Sequence, residues 1–226
     1  MQSIISNMIK LVVFDWNGVL IDDAQANADT VSHILKSYGR SPITLERYRD
    51  IFEIPARKIY LQEGFSEEEI EREGMWIQEM FHQDYEPRIA GVEMREGARV
   101  LLEWLAEKEV ECIILSNHVT EAIEFQLKRL EIKNFFSVVL ANNPHDAMHA
   151  QNKYEKLIAF LKDRPYRTEE VLIIGDSVEE TQAGKKAGIH TVAITGGYVS
   201  EARLRQAKPD HLIHNLTSMI DIIKKV

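Results

Sequence analysis

Five short, continuously apolar segments constrain the fold of this 226-residue chain more than any other feature. They cover residues 10–14, 110–115, 136–140, 171–174 and 190–194. Each is rich in Val and Ile, as strands covered on both faces are. Helical spacing fills most of the gaps between them. Leu101, Leu102 and Leu105 share one side of 98–108, and Ile123, Leu127 and Leu130 share one side of 120–130. Tyr154, Leu157, Ile158 and Leu161 do the same in 153–161, and 179–187 closes at Gly188, a suitable helix C-cap. Thr217 is expected to cap a last helix whose Met219, Ile220 and Ile223 face inward. Alternation of this kind predicts a parallel sheet with right-handed crossovers.

Residues from about 24 to 89 break the pattern, because they hold no convincing strand. Ala24, Ala28, Val31, Leu35 and Tyr38 follow helical spacing and stop at Gly39. Thr44 suits the cap of a helix carrying Leu45, Tyr48, Ile51 and Phe52. Ser66 with Glu69 forms a capping box ahead of Ile70, Ile77 and Phe81. An ordinary crossover needs far fewer residues than this all-helical insertion. The expected division is therefore a core of 1–22 and 91–226 with a helical cap of 23–90, leaving and returning near Asp15 as a lid over the sheet edge.

Bulk properties narrow the function. The net charge of −9 repels phosphate backbones, and no basic patch offsets it, so a nucleic-acid partner is not expected. No apolar stretch approaches the ~20 residues of a membrane helix, so no membrane partner is expected either. Residues 1–10 lack the pattern of a secretory signal, and residues 1–7 read as an extension ahead of the first strand. Cys112 is the single cysteine, which fits a reducing cytoplasm and a role in the core.

Chemistry gathers where the apolar segments end. The first ends in Asp15-Trp16-Asn17-Gly18, the second in Ser116-Asn117, and the fourth in Gly175-Asp176-Ser177-Val178-Glu179-Glu180. Lys153 opens the helix before that fourth segment. In open α/β sheets ligands bind at the carboxyl ends of the strands, so Asp15, Ser116, Lys153 and Asp176 can converge on one point. Two carboxylates suit Mg²⁺, a hydroxyl and an ammonium suit phosphate oxygens, and a carboxylate beside a metal-screened phosphoryl group can attack phosphorus. His118 and His145 have no second ligand at zinc spacing, which argues against a zinc site.

These motifs, in this order and spacing, resemble the haloacid dehalogenase superfamily, in its phosphatase branch with a helical cap after the first strand. The stretches carrying the resemblance are Val12 to Leu20, Ile113 to Asn117, Lys153, and Ile173 to Ser177 with Glu179-Glu180. The cap is similar to those of phosphoglycolate-phosphatase-like members. The expected fold class is then α/β, a Rossmann-like doubly wound parallel sheet core with an inserted all-helical cap domain. The resemblance implies an Mg²⁺-dependent phosphatase acting on a small phosphorylated substrate through an aspartyl-phosphate. Asp15 would be the nucleophile, and Ser116 and Lys153 would hold the phosphoryl group, with Lys156 a second candidate for the lysine. Asp15 and Asp176 would bind Mg²⁺ through side chains and Asn17 through its backbone carbonyl. Trp16 and Asn117 are candidate substrate contacts.

Two positions depart from the pattern. Asn17 stands where these phosphatases carry a second Asp that protonates the leaving oxygen and then activates water. An amide does neither, and a lost general acid–base costs ~10²–10⁴ in rate. Slow turnover, a substrate with a good leaving group, a substitute proton donor, or a phosphate-ligand sensor without turnover are all consistent with it. Glu180 stands where Asp is common and can reach a metal-bound water or pair with Lys185. A dehalogenase would not need Asp176, and a phosphonate hydrolase would need a cap lysine, Lys36 or Lys58, in the site.

Overall fold

The structure, a computed structural model, describes residues 8–142 and 152–226. The expectations for residues 1–7 and for His145 lie outside the described residues. Six strands form one wholly parallel sheet: β1 (Leu11–Phe14), β2 (Glu111–Val119), β3 (Val138–Asn142), β4 (Val171–Gly175), β5 (His190–Ile194) and β6 (His211–Ile213). Their order is β3-β2-β1-β4-β5-β6, with β1 in the middle.

Helices cover both faces, and neighbouring residues along a strand serve opposite cores. Val12 and Phe14 join Cys112, Ile114, Leu172 and Ile174 on one face, while Leu11 and Val13 join Ile113, Leu115, Val171 and Ile173 on the other. This two-sided burial explains why the strands are continuously apolar. Burial pushes the Cys112 thiol up to about 12, in keeping with a role in the core.

The sequence reading missed β6 and the helix before it, α9 (Glu201–Ala207). β6 has only three residues, and two of them are partly exposed at the sheet edge. It also started β3 two residues early and ended β2 four residues short. Thr217 does occupy the N-cap of α10 (Ser218–Ile223), but its hydroxyl donates to Asn215 Oδ1 (2.8 Å) and caps nothing.

Four helices form the insertion: α1 (Ala24–Ser37), α2 (Leu45–Ile51), α3 (Arg57–Gln62) and α4 (Glu67–Ile89). Thr44 accepts from Arg47 N–H, and the Ser66–Glu69 capping box forms. The helices bury their own core around Val31, Leu35, Tyr48, Ile59 and Ile77. The outgoing and returning chains pair beside the sheet edge. Asp22 N–H donates to Glu93 O (3.1 Å) and Arg95 N–H to Leu20 O (2.9 Å). Among the described residues no helix is long and apolar enough to cross a membrane.

Candidate active site

β1 lies between β2 and β4 at the point where the strand order reverses, the crevice that parallel sheets use for ligands. Asp15 follows β1 directly and is held by three contacts. Its N–H donates to Ile174 O (3.0 Å), Trp16 N–H donates to its Oδ1 (2.7 Å), and Lys153 Nζ lies 2.8 Å from the same oxygen. Lys153 opens α7 (Lys153–Leu161) and also donates to Glu180 Oε1. Glu180 sits in the first turn of α8 (Val178–Ala187), where its Oε2 accepts from Ser177 N–H (3.1 Å) and Ser177 Oγ (2.7 Å). The alternative pairing with Lys185 does not form, since Lys185 donates to Ala207 O.

Asp176 follows β4 and accepts from Tyr198 N–H at 2.6 Å. Two glycines leave room for it. A Cβ on Gly18, at φ +69°, or on Gly197 would sit 2.0 Å from Asp176 Oδ2. Gly197→Ala is therefore expected to displace this carboxylate and cost ~1–3 kcal/mol of stability, measured by urea unfolding; an unchanged midpoint would show the loop yielding freely.

Oxygens of Asp15, Asp176 and Glu180 lie within 4.8 Å of one another, all buried. Burial raises Asp15 to about 7, against the pull of Lys153, and pushes Asp176 well above the carboxylate range, with Asp15 adding to the shift. Burial opposes the Glu180 charge too, but Lys153 and Ser177 outweigh it and hold that carboxyl low. Lys153 stays charged: burial disfavours the ammonium, and the surrounding carboxylates more than compensate. Three carboxyl groups around one ammonium present more hard oxygen donors than Lys153 alone can pair, and this donor set fits a divalent cation such as Mg²⁺, whose charge would favour their ionised forms.

Ser116, within the extension of β2, is 1% exposed and lines a cavity of about 80 Å³ with Asp15, Asn17, Lys153 and Asp176. Its Oγ accepts from His118 N–H (3.1 Å), leaving the hydroxyl proton free to donate. Asn117 borders the same cavity and gives its amide to Glu179 Oε2 (2.8 Å). Lys156 instead donates to Ser116 O (2.9 Å) and Asn142 Oδ1 (2.5 Å), and burial followed by Lys153 pulls its amine down to about 8.

Trp16 is a correction. Its side chain is wholly buried in the core with Val19 and Leu20 and lines neither site cavity. Side chains alternate as the strand ends, so Asp15 turns to the site and Trp16 to the core. The candidate cap lysines do not border these cavities either, and Lys58 pairs with Glu53 at 2.7 Å. Arg49 donates to the Gly196 and Gly197 carbonyls.

Sequence reasoning missed Asp23. It occupies the N-cap of α1 but caps no N–H of that helix. Its carboxylate is fully buried and accepts from Asn17 Nδ2 (2.7 Å), Gly18 N–H (2.7 Å), Tyr198 OH (2.6 Å) and Tyr85 OH. Asn17 Nδ2 lies 2.9 Å from Tyr85 OH as well. The network continues through Asn27, which donates to Tyr198 OH and accepts from Tyr48 OH. Asn17 is thus the amide complement of a buried carboxylate.

Known proteins resemble this chain in sequence and in fold. Phosphoglycolate phosphatase 1 of Pseudomonas aeruginosa is 26% identical over 220 residues, covering 93% of this chain and 78% of that protein. Pyrophosphatase PpaX of Bacillus mycoides is 23% identical over 220 residues, covering 96% and 98%. A solved haloacid dehalogenase-like hydrolase from Streptococcus pneumoniae superposes with a TM-score of 0.80 at 21% identity, covering 95% of this chain and 98% of that one. The sequence model of the haloacid dehalogenase-like hydrolases matches residues 12–194, a span that takes in Asp15, Ser116, Lys153 and Asp176, and the chain belongs to that family.

Proposed function

We propose that the chain is an Mg²⁺-dependent phosphomonoester hydrolase with Asp15 as nucleophile, 23–90 as its cap and a small phosphorylated compound as substrate. The observation that carries this is the buried Asp15 carboxylate, 2.8 Å from Lys153 and beside Asp176 and Glu180. Mg²⁺, held by the Asp15 and Asp176 side chains and the Asn17 carbonyl, with Glu180 reaching it through water, would screen the charge between nucleophile and phosphoryl oxygens. Ser116 donates its hydroxyl proton to one phosphoryl oxygen, and Lys153 binds another while favouring the charged form of Asp15. An Asp15 oxygen attacks phosphorus and expels the leaving oxygen. Water then cleaves the aspartyl-phosphate and restores the carboxylate.

The test is phosphate release from a panel of phosphomonoesters with Mg²⁺ and with EDTA. Release is expected with the metal, with loss in chelator and recovery on adding Mg²⁺ back. Asn17 favours a second reading, a phosphate-ligand sensor. Binding of phosphomonoesters without release from any of them would establish the sensor and overturn the hydrolase.

A further inference from the structure

The 80 Å³ cavity over Asp15 adjoins a second one of about 430 Å³ beneath the cap helices, and Asn17, Phe52, Ile54, Asn117, His118 and Tyr198 line both. With the phosphoryl group over Asp15, the leaving group enters the larger cavity, whose size is that of a small-molecule site. Its walls include Val31, Ile59, Tyr60, Ile70, Ile77 and Phe81. Three further tyrosines present rings to it. The hydroxyls of Tyr48, Tyr85 and Tyr198 are taken by the Asn27 and Asp23 network. Among the described residues, Arg57 is the only Lys or Arg on its lining; it is exposed and lies 3.6 Å from Glu67. A carboxylate on the leaving group would lose water there without a buried cation to replace it. His118 adds one polar point, since its buried Nε2 has no hydrogen-bond partner among the described residues.

A second observation points the same way. Asn17 cannot protonate a departing oxygen, and its amide is already engaged by Asp23 and Tyr85. An alkoxide leaves poorly without a proton, whereas a phenolate, whose conjugate acid has a pKa near 10, needs far less help.

Resting on the hydrolase reading, we propose that the substrates are aryl phosphate monoesters whose ring occupies the cap cavity. An Asp15 oxygen forms the bond to phosphorus as the P–O(aryl) bond breaks. The electron pair leaves on the phenolate, which takes its proton from solvent. Water then attacks phosphorus and the P–O(Asp15) bond breaks, so aryl phosphate and water give phenol and inorganic phosphate.

The experiment compares kcat/KM for phenyl and 1-naphthyl phosphate with that for 2-phosphoglycolate and acetyl phosphate, all with Mg²⁺. Acetyl phosphate has a good leaving group but no ring, so it separates leaving-group quality from the fit of the cavity. Both aryl esters are expected to exceed 2-phosphoglycolate by ~10²-fold. Filling the cavity with Ile77→Trp, or with Val31→Phe should the first fold poorly, is expected to lower the naphthyl to acetyl phosphate ratio by about ten-fold. Preference for 2-phosphoglycolate, or a ratio that neither variant moves, overturns the aryl assignment and leaves the hydrolase intact. Release from none of the four, nor from any other phosphomonoester of the panel, overturns the hydrolase. Calorimetric binding of phenyl phosphate against 2-phosphoglycolate then decides the cavity assignment, which fails if the glycolate ester binds more tightly.

Discussion

Asp15→Asn is expected to lose phosphate release by ~10⁴–10⁶-fold, the scale of a removed nucleophile, while melting no lower than the wild-type chain in EDTA. The shape of the site survives because Asn Oδ1 can accept from both Trp16 N–H and Lys153, the two donors that hold Asp15 now. Lys153 keeps its pairing with Glu180 in either case. What changes is charge. One of three carboxylates crowded within 4.8 Å becomes neutral, which relieves repulsion inside the fold. Activity and stability therefore move apart, as they do where a site is held under electrostatic strain. Parallel phosphate assays and thermal melts check this. A variant that keeps a tenth of the wild-type rate removes Asp15 from the nucleophile's place, and a large drop in melting temperature makes it a structural residue instead.

The sequence made the central sheet legible because its strands are buried on both faces. Val12 and Val13 face opposite cores, and both had to be apolar. β6 gave no such signal, since its His211 and Leu212 stay partly exposed at the sheet edge. The site divides in the same way. Asp15, Ser116 and Asp176 stand just past runs of apolar residues, so topology alone predicts their convergence. Asp23 has no such marker, because an Asp before a helical pattern is also what an ordinary N-cap looks like. Its partners Tyr85 and Tyr198 lie 62 and 175 positions away and meet it only when α4 and the loop after β5 fold over the sheet edge. Trp16 misleads because a residue adjacent to the proposed nucleophile suggests contact with substrate, whereas alternation along the chain turns it into the core.

Exchanging the partners Asn17 and Asp23 is expected to do more than restoring an acid at position 17 alone. In Asn17→Asp, a new carboxylate faces Asp23 Oδ2 across what is now a 2.7 Å hydrogen bond. Two carboxylates at that distance share a proton, and the one available to the leaving oxygen is tied to its neighbour. The double variant Asn17→Asp with Asp23→Asn reverses the pair and keeps the hydrogen bond. The new amide donates one proton to the carboxylate at position 17 and the other to one of the hydroxyls of Tyr85 and Tyr198, which turns to accept, and its carbonyl still accepts from Gly18 N–H. The carboxyl at position 17 is then free to give a proton to an alkoxide and afterwards to draw one from water. For alkyl phosphates the double variant should gain ~10²–10⁴ in kcat over wild type, with the single variant well below it. Aryl phosphates should gain much less, so the dependence of rate on leaving-group pKa flattens. Steady-state kinetics over a leaving-group series, with circular dichroism to establish folding, makes the comparison. A folded double variant no faster than wild type on alkyl phosphates would show that proton transfer at position 17 is not what limits this site.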